Sequence, residues 1–418
     1  MFSVLSGAWA LLLGMMLLQV GNGMQSTLLG IRGDLEGFST FEMSLVMSGY
    51  FVGFLSGSRR APVMIQRVGH VRVFAALASL ISAVILLYPT FTNVYAWAAG
   101  RVLIGFCFSG VYVTAESWLN NAATNENRGK ALSLYMIVQM LGIVSAQALM
   151  VAADPGGFIL FIIPSILVSL SFAPILLTVS KQTPQFDTAK PMTLREIFAV
   201  SPLGVVGMFL LGGVFAAQFG MAAVYGAEAG LTIGEISIFV ATFYIGALVV
   251  QFPLGWLSDR MDRRILIMIV AAICAVGSLI GMLFGGVFPM LLIAAFCVGG
   301  MSNPLYSLLI AYTNDFLGHE DMAAAAGGMV FVNGLGAVFG PILTGWIMAV
   351  VGPSGFFLFI GLLCAAMVAY AAYRTTQRAA PSVDQTDSYA AIAPSASPAA
   401  VAFAQEFAIE AAQDGDNT

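Results

Sequence analysis

Charged residues are scarce in this 418-residue sequence, where they make up 9% of the positions while hydrophobic residues make up 59%. A soluble domain carries roughly 25% charged residues, and apolar surface left in water costs about 25 cal/mol per Å². The mean hydropathy of +0.93 therefore excludes an ordinary soluble fold. It predicts a chain whose apolar surface is covered by lipid.

Cysteine and histidine are too few and too scattered to indicate a reactive centre. The four cysteines lie inside apolar runs without Cys-x-x-Cys spacing, and the two histidines lie far apart in short polar loops. Basic residues form no tract and the net charge is −5, so the electrostatic pattern of a nucleic-acid-binding protein is absent. We therefore expect no catalytic residues, no metal site, no cofactor and no nucleic-acid partner.

Apolar runs long enough to cross a bilayer recur twelve times along the chain. A spanning α-helix needs about 20 predominantly apolar residues. The pattern predicts an all-α integral membrane protein with twelve transmembrane helices, which we number 1 to 12. The runs cover residues 6–30, 41–58, 71–89, 94–118, 131–152, 158–179, 201–226, 236–257, 265–284, 289–313, 323–350 and 353–373.

Polar stretches between these runs divide the chain into four parts. The first six-helix half takes residues 1–180, and a linker follows at 181–200, where the stretch beginning at Thr193 is typical of a short interfacial helix. The second six-helix half takes residues 201–373. The tail at 374–418 is rich in Ala, Ser, Pro and Gln and has no apolar run of spanning length, which predicts disorder.

Lys and Arg residues collect on one side of the predicted helices. If the N-terminus is cytoplasmic, 14 of the 16 Lys and Arg residues face the cytoplasm, and only Arg32 and Arg101 lie at the outer side or within the membrane. Basic residues accumulate in cytoplasmic loops. We therefore expect a multi-pass protein of the inner membrane with a cytoplasmic linker, a cytoplasmic tail and both termini in the cytoplasm.

The two halves repeat each other. A shift of 193 residues lays helices 1 and 2 over helices 7 and 8, so that Gln25 falls on Gln218 and Arg67 on Arg260. A shift of 194 lays helix 5 over helix 11 and places Gln139 on Asn333. Matches in order at nearly one offset indicate two pseudo-symmetric six-helix halves. Carriers built from such repeats bind their solute near the membrane midplane, at the interface between the repeats.

A charged motif follows helix 8, where the chain reads Gly255-Trp-Leu-Ser-Asp259-Arg260-Met-Asp-Arg263-Arg264. Here the chain resembles the major facilitator superfamily, whose signature in this loop is G-x-x-x-D-R-x-G-R-R, except that Asp262 replaces the second glycine. Weaker matches to the same family occur after helix 2 and in helix 4, where Arg101 begins the motif. The resemblance implies the twelve-helix fold of that superfamily and secondary transport by alternating access.

Charged residues at the cytoplasmic ends of the helices form two sets. Pairs that exist in only one conformation bias a two-state equilibrium, so we expect these sets to form an inner gate. The alternative is that the loop arginines only set the topology. The first-half set is Arg67, Gly69, Arg72, Glu116 and Arg128, and the second-half set is Gly255, Asp259, Arg260, Arg263, Arg264 and Asp315.

Polar residues within the spans are candidates for the solute site, because the resemblance implies that helices 1, 4, 7 and 10 line the central path with help from 5 and 11. No Asp, Glu or Lys lies mid-span, which favours a neutral or weakly charged organic solute, although Arg101 could receive an anion. Each polar residue could instead form an interhelical hydrogen bond. The candidates are Gln19, Asn22, Gln25, Ser26, Arg101, Gln139, Gln218, Asn303, Tyr306 and Asn333.

The sequence thus predicts a secondary active transporter that works as a monomer in the lipid bilayer and moves a small-molecule solute, with a proton as the candidate coupling ion. Uptake of a nutrient or vitamin-like solute is preferred, and the resemblance adds riboflavin as one solute that some bacterial members of the superfamily take up. A drug or metabolite efflux carrier is the first alternative, because the G-x-x-x-G-P pattern of drug-proton antiporters occurs at residues 336–341 in helix 11, although not in helix 5. A non-transporting assembly factor or sensor with the same fold is the second.

Overall fold

The computed structural model describes residues 2–122, 128–177, 192–377, 389–397, 400–401 and 404–405, and within them it contains α-helices and no β-strand. Twelve long helices follow one another in this part of the chain. They are α1 Phe2–Leu35, α2 Thr40–Val68, α3 His70–Leu87, α4 Val94–Ala122, α5 Arg128–Leu149, α6 Ile159–Leu176, α7 Pro202–Glu228, α8 Ile233–Ser258, α9 Arg263–Phe284, α10 Phe288–Asn314, α11 His319–Val351 and α12 Gly355–Thr375.

Ten of these helices are long and apolar enough to cross a membrane, and they are α3 to α12. Helices α1 and α2 also have the length, and the polar residues of α1, such as Gln19 and Asn22, are buried inside the bundle. The predicted all-helical membrane fold is confirmed. The short helix expected in the linker is present at Leu194–Val200, where Thr193 and Glu196 form a capping box.

Glycines let α2 and α4 pack backbone to backbone. A Cβ atom added at Gly53 would lie 1.8 Å from the carbonyl oxygen of Val102, and one added at Gly105 would lie 1.9 Å from that of Tyr50. The second half repeats this contact between α8 and α10, where a Cβ at Gly299 would lie 2.2 Å from the carbonyl oxygen of Phe243. Close packing therefore explains why helix 2 carries glycine where it meets α4, as is usual for small residues in membrane helices.

The close contact at Gly53 predicts a loss of stability on a minimal substitution. Gly53→Ala should lower the free energy of unfolding by about 1–3 kcal/mol, because the added methyl forces α2 away from α4. The melting temperature of the detergent-purified protein measures this. Gly327→Ala is the matched control, since nothing lies within 4 Å of its added Cβ. A Gly53→Ala protein that melts no lower than this control would contradict the packing assignment.

The two halves meet tightly near one face of the bundle. Because the number of spans is even, the start of α1 and the end of α12 share one face, which we call the terminal face. Near the other face, the Ser48 hydroxyl donates a hydrogen bond of 2.6 Å to the carbonyl of Val338, joining α2 to α11. A Cβ at Gly30 of α1 would lie 2.7 Å from that of Ala223 in α7. We call these α1–α7 and α2–α11 contacts the seam, and they close this face.

The tail contributes to the terminal side of the bundle. The sequence predicts disorder beyond residue 373, whereas the described tail residues lie among the helices, with Ile392 and Val401 buried. The tail's small Ala, Ser and Pro side chains fit between closely spaced helices, and its backbone amides find acceptors there. The amino-acid composition of the tail cannot predict such contacts, because they depend on the cleft that the folded helices provide.

Candidate solute-binding cavity

A cavity lies between the two halves, on the terminal side of the seam. It contains about 850 Å³ of empty space, its opening to solvent included. Both halves and the tail contribute to its wall. The residues that line it include Gln19, Asn22, Tyr50, Phe54, Tyr112, Gln139, Phe215, Phe219, Asn303, Asn333 and, from the tail, Ala393, Pro394, Ser395 and Ala396.

A chain of hydrogen bonds crosses the first-half wall from α5 to α1 and α4. The Gln19 amide donates to Gln139 Oε1 at 3.1 Å and accepts from the Tyr112 hydroxyl at 2.7 Å. That hydroxyl accepts from Asn22 Nδ2 at 3.2 Å, and Asn22 Oδ1 accepts from Gln25 at 3.3 Å. Among the described residues no acceptor is bonded to Gln139 Nε2. This series of hydrogen bonds therefore ends at the cavity with a donor, the Nε2 group of Gln139.

The second-half wall presents the complementary groups. Asn303 Nδ2 donates to the carbonyl of Gly299 at 3.1 Å, and Asn333 Nδ2 donates to the carbonyl of Met208 at 3.1 Å. Each amide thus spends one N–H on the protein backbone, and no described donor bonds its carbonyl oxygen, which remains an acceptor. The two walls together offer a donor on one side and two acceptors on the other.

Aromatic rings cover the side of the cavity nearest the seam. The rings of Phe215 and Phe219 in α7 stack with centroids 6.0 Å apart, and the Tyr50 ring of α2 lies 5.2 Å from that of Phe219. Phe54 lies 5.9 Å from Tyr50. These rings join the halves and give the cavity an extended apolar surface, on which a flat or ring-shaped solute can stack.

Several predicted site residues lie behind the wall and do not line it. Gln25 is fully buried and reaches the cavity only through Asn22. Gln218 exchanges hydrogen bonds with the Ser302 hydroxyl of α10, at 2.9 and 3.2 Å. It lies in the π-helical turn Ala217–Met221, which changes the rotational register of α7. Gln25 and Gln218 occupy equivalent positions of the repeat, but neither lines the cavity, and each bonds to a residue of its own half. Tyr306 is also buried away from the wall.

Arg101 lies directly behind the seam and is fully buried. Its Nη2 donates to Ser26 Oγ at 3.4 Å and approaches Met47 Sδ at 3.3 Å, and the guanidinium sits 4.9 Å from the centre of the Tyr50 ring. Nε and Nη1 find no acceptor among the described residues. No carboxylate in the described part of the chain forms an ion pair with this guanidinium.

Ser26 and Met47, the two side chains within hydrogen-bond distance of Arg101 Nη2, also contact α7. The Ser26 hydroxyl donates to the carbonyl of Phe219 in α7 at 3.4 Å. A Cβ at Gly220 would lie 3.2 Å from that of Met47. Any separation of α1 and α2 from α7 would therefore uncover the Arg101 guanidinium.

The second-half gate set is brought together around one arginine. Arg263, at the start of α9, forms an ion pair with Asp315 in which both side chains are buried. Asp259 Oδ1 lies 3.6 Å from Arg263 Nη2. Arg260 instead stacks on Trp256, 4.3 Å from the ring centre. Arg264 lies 5.9 Å from the Tyr312 ring. Asp259 of the motif and Asp315 at the end of α10 thus gather on Arg263, while Arg260 and Arg264 lie against aromatic rings.

Among its described side chains, the first-half gate set is not brought together in this way. Arg67 and Arg72 are exposed, and Glu116 is buried, where it accepts hydrogen bonds from the Tyr135 hydroxyl and from the Ser397 amide of the tail. Gly69 has φ +86° and ends α2, a conformation that favours glycine. The side chain of Arg128, the remaining member, lies outside the described residues.

Gly255 of the second-half motif faces the tail. A Cβ added there would lie 2.7 Å from the Tyr389 ring. Asp259 accepts a hydrogen bond of 2.8 Å from the Tyr389 amide, and the Tyr389 hydroxyl accepts one of 2.7 Å from Gln251. Burial raises the pKa of the Tyr389 phenol, so its hydroxyl stays protonated at neutral pH. The motif glycine therefore leaves room for a tail residue.

Sequence reasoning missed the aromatic wall and the tail. The pairs Tyr50 and Phe54 in helix 2, and Phe215 and Phe219 in helix 7, recur at four-residue spacing, which places each pair on one helix face. Helices 2 and 7 face each other across the central path, so this spacing was an available signal for the wall. The tail offered none, because its alanines resemble those of any low-complexity segment.

The chain shares its sequence pattern and its fold with known carriers. A family model described as Major Facilitator Superfamily matches residues 11–233 and 203–404. The protein named "Uncharacterized MFS-type transporter YcaD" of Salmonella arizonae is 24% identical over 343 residues, which cover 81% of this chain and 88% of that protein. A mutant of the nucleoside transporter NupG superposes with a TM-score of 0.70 at 12% identity, over 87% of this chain and 98% of that one. The Escherichia coli fucose:proton symporter FucP superposes with a TM-score of 0.57 at 15% identity, over 87% and 98%.

Proposed function

Because this chain belongs to the major facilitator superfamily, we propose that it carries a small, neutral or weakly charged organic solute across the inner membrane by alternating access. The cavity between the halves carries this proposal. In our proposal the terminal face is cytoplasmic, and the seam is the outer gate in its closed state. The cavity then faces the cytoplasm, from which a solute would be released after uptake.

The chemistry of the cavity wall specifies the kind of solute. Gln139 offers a donor, Asn303 and Asn333 offer acceptors, and none of these groups is charged. An uncharged solute with an acceptor on one edge and donors on the other matches this arrangement. The rings of Tyr50 and Phe219 favour a solute with one flat apolar face. Nucleosides, sugars and flavin-like vitamins share these properties.

A thermal-shift screen of the purified protein tests the proposal. Bound solute raises stability by RT ln(1+[L]/Kd), which is about 2.7 kcal/mol when the solute is at 100 times Kd. We expect a rise in melting temperature with a neutral ring-shaped solute, and we include nucleosides and fucose because two proteins of the same fold are named for them. If only strongly charged solutes stabilised the protein, the assignment of the cavity chemistry would be wrong.

Drug efflux is the second candidate, and the aromatic wall is the observation that favours it. Phe51, Phe54 and Phe215 give the cavity an apolar side on which a hydrophobic drug could bind. Such a ligand would leave the amides of the opposite walls without partners, at a cost of about 1–3 kcal/mol for each unpaired group. The screen therefore includes apolar drugs, and stabilisation by these alone would favour efflux over uptake.

A further inference from the structure

The described tail residues occupy the route between the cavity and the terminal face. Residues 393–396 form part of the cavity wall, and residues 389–391 lie in a cleft between α5 and α8 that leads to it. Ala396 and Ser397 are 4% and 1% exposed, and Val401 is fully buried. The tail therefore fills space that a solute would have to cross.

Hydrogen bonds hold the tail to helices of both halves. The Ser307 hydroxyl of α10 accepts from the amide of Ile392 at 2.8 Å and donates to its carbonyl at 3.0 Å. The Ser397 amide donates to the Glu116 carboxylate of α4 at 3.0 Å. Near the end of α10, Asn314 Oδ1 accepts from Gln405 at 3.1 Å. The tail is thus anchored at successive points, first to the second half, then to the first, then to the second again.

Two of these anchors are residues of the charged sets. Asp259 binds the amide of Tyr389, and Glu116 binds that of Ser397. Both carboxylates accept from main-chain N–H groups of the tail, and Glu116 also accepts a hydrogen bond from the Ser397 side chain. Gly255 completes the fit by leaving room for the Tyr389 ring.

We propose that the described tail residues, 389–397, 400–401 and 404–405, form an intramolecular plug, which occludes the path between the central cavity and the terminal face while it engages Asp259 and Glu116. Closure of the helices at that face requires the plug to leave, because the two would occupy the same space. The plug thus uses one carboxylate from each charged set, and Asp259 holds the Tyr389 amide while it lies 3.6 Å from Arg263. The tail thereby regulates access to the cavity.

Accessibility of one cysteine tests the plug without any knowledge of the solute, so its failure is distinguishable from failure of the proposed function. Met140 lines the cavity and packs near Ala391 and Ala393. In a background with the four native cysteines replaced by alanine, Met140→Cys reports access through its rate of reaction with a membrane-impermeant maleimide. Thr376→Cys, at an exposed position after α12, controls for general reactivity and folding.

Two variants release the plug in different ways. A chain ending at Gln377 removes it, and Val401→Asp keeps the full length but places a charge at a fully buried position. We expect the Met140→Cys reaction to be about tenfold faster or more in both, since the rate follows the fraction of unplugged molecules. The Thr376→Cys rate should not change. A Met140→Cys rate that stays low in either variant, while the control reacts normally, overturns the proposal.

Discussion

Replacement of Arg101 by methionine is expected to raise the melting temperature of the protein and to remove most of its transport. A guanidinium in the membrane interior is costly unless it is paired or hydrated. Arg101 is fully buried with two of its three nitrogens unpartnered among the described residues. Methionine has a similar length and no charge, so the folded state with the seam closed should gain about 1–4 kcal/mol.

The same substitution should impair function, because the buried charge destabilises one of the two states. Arg101 contacts Ser26 and Met47, which both touch α7 at the seam. Opening of the seam would hydrate the guanidinium, so the charge favours opening. Without it the closed seam gains about 1–4 kcal/mol, which reduces the population of open molecules by about fivefold to a thousandfold. Uptake of the solute found by the screen should fall accordingly.

Arg101→Lys is the control for this prediction. Lysine retains a positive charge behind the seam, so it should neither raise the melting temperature nor block opening to the same degree. Melting temperature and transport are measured on the same preparations of wild type, Arg101→Met and Arg101→Lys. Wild-type transport and wild-type melting in the methionine variant would show that the charge has no role in the equilibrium between the two states.

Gln139→Leu is expected to weaken solute binding by about tenfold to a hundredfold. The leucine removes the donor at the end of the hydrogen-bond chain, so that a solute acceptor is left unpaired at a cost of about 1–3 kcal/mol. The sequence repeat alone would assign this role to Gln25 and Gln218. The structure instead indicates Gln139 as the solute-binding amide, because its side chain lines the cavity and those of Gln25 and Gln218 do not.

Gln147→Leu is a matched control on the same helix. Gln147 is buried like Gln139, and its amide oxygen accepts from the α1 residue Thr27 at 3.1 Å, as that of Gln139 accepts from Gln19. It does not line the cavity. Both variants should lose similar stability, but only Gln139→Leu should lose affinity, measured by isothermal titration. Equal loss of affinity in the two variants would assign both glutamines a structural role only.

The fold was predictable because its determinants are local. Apolar runs of spanning length, the clustering of Lys and Arg, and the duplicated pattern of Gln25 and Gln218 each require only a short window of sequence or a fixed offset. Hydrogen bonding within a helix satisfies its own backbone in lipid, so helices follow from hydropathy alone. The capping residues Thr193 and Glu196 even mark the short linker helix.

The site was predictable only in part, because its geometry depends on helix rotation and on distant segments. Of the predicted candidates, Gln19, Asn22, Gln139, Asn303 and Asn333 line the cavity, and their role in binding a solute stays a prediction. The π-helical turn in α7 turns Gln218 toward Ser302, and a hydropathy pattern contains no sign of such a turn. The tail contacts depend on Glu116 and Asp259, which lie more than a hundred residues earlier in the chain.

Distances between spin labels on the two faces test alternating access most directly. One pair, Leu35→Cys with Gly234→Cys, spans the seam from the end of α1 to the start of α8, and another, Val68→Cys with Gly318→Cys, spans the terminal face. Leu35 and Val68 are exposed, and added side chains at the two glycines meet no neighbours within 4 Å. In lipid nanodiscs each pair should give two distances. The state with the longer seam distance should be the state with the shorter terminal distance. The proportions of the two states should shift when solute is added. A single seam distance that is the same with and without solute would contradict the account.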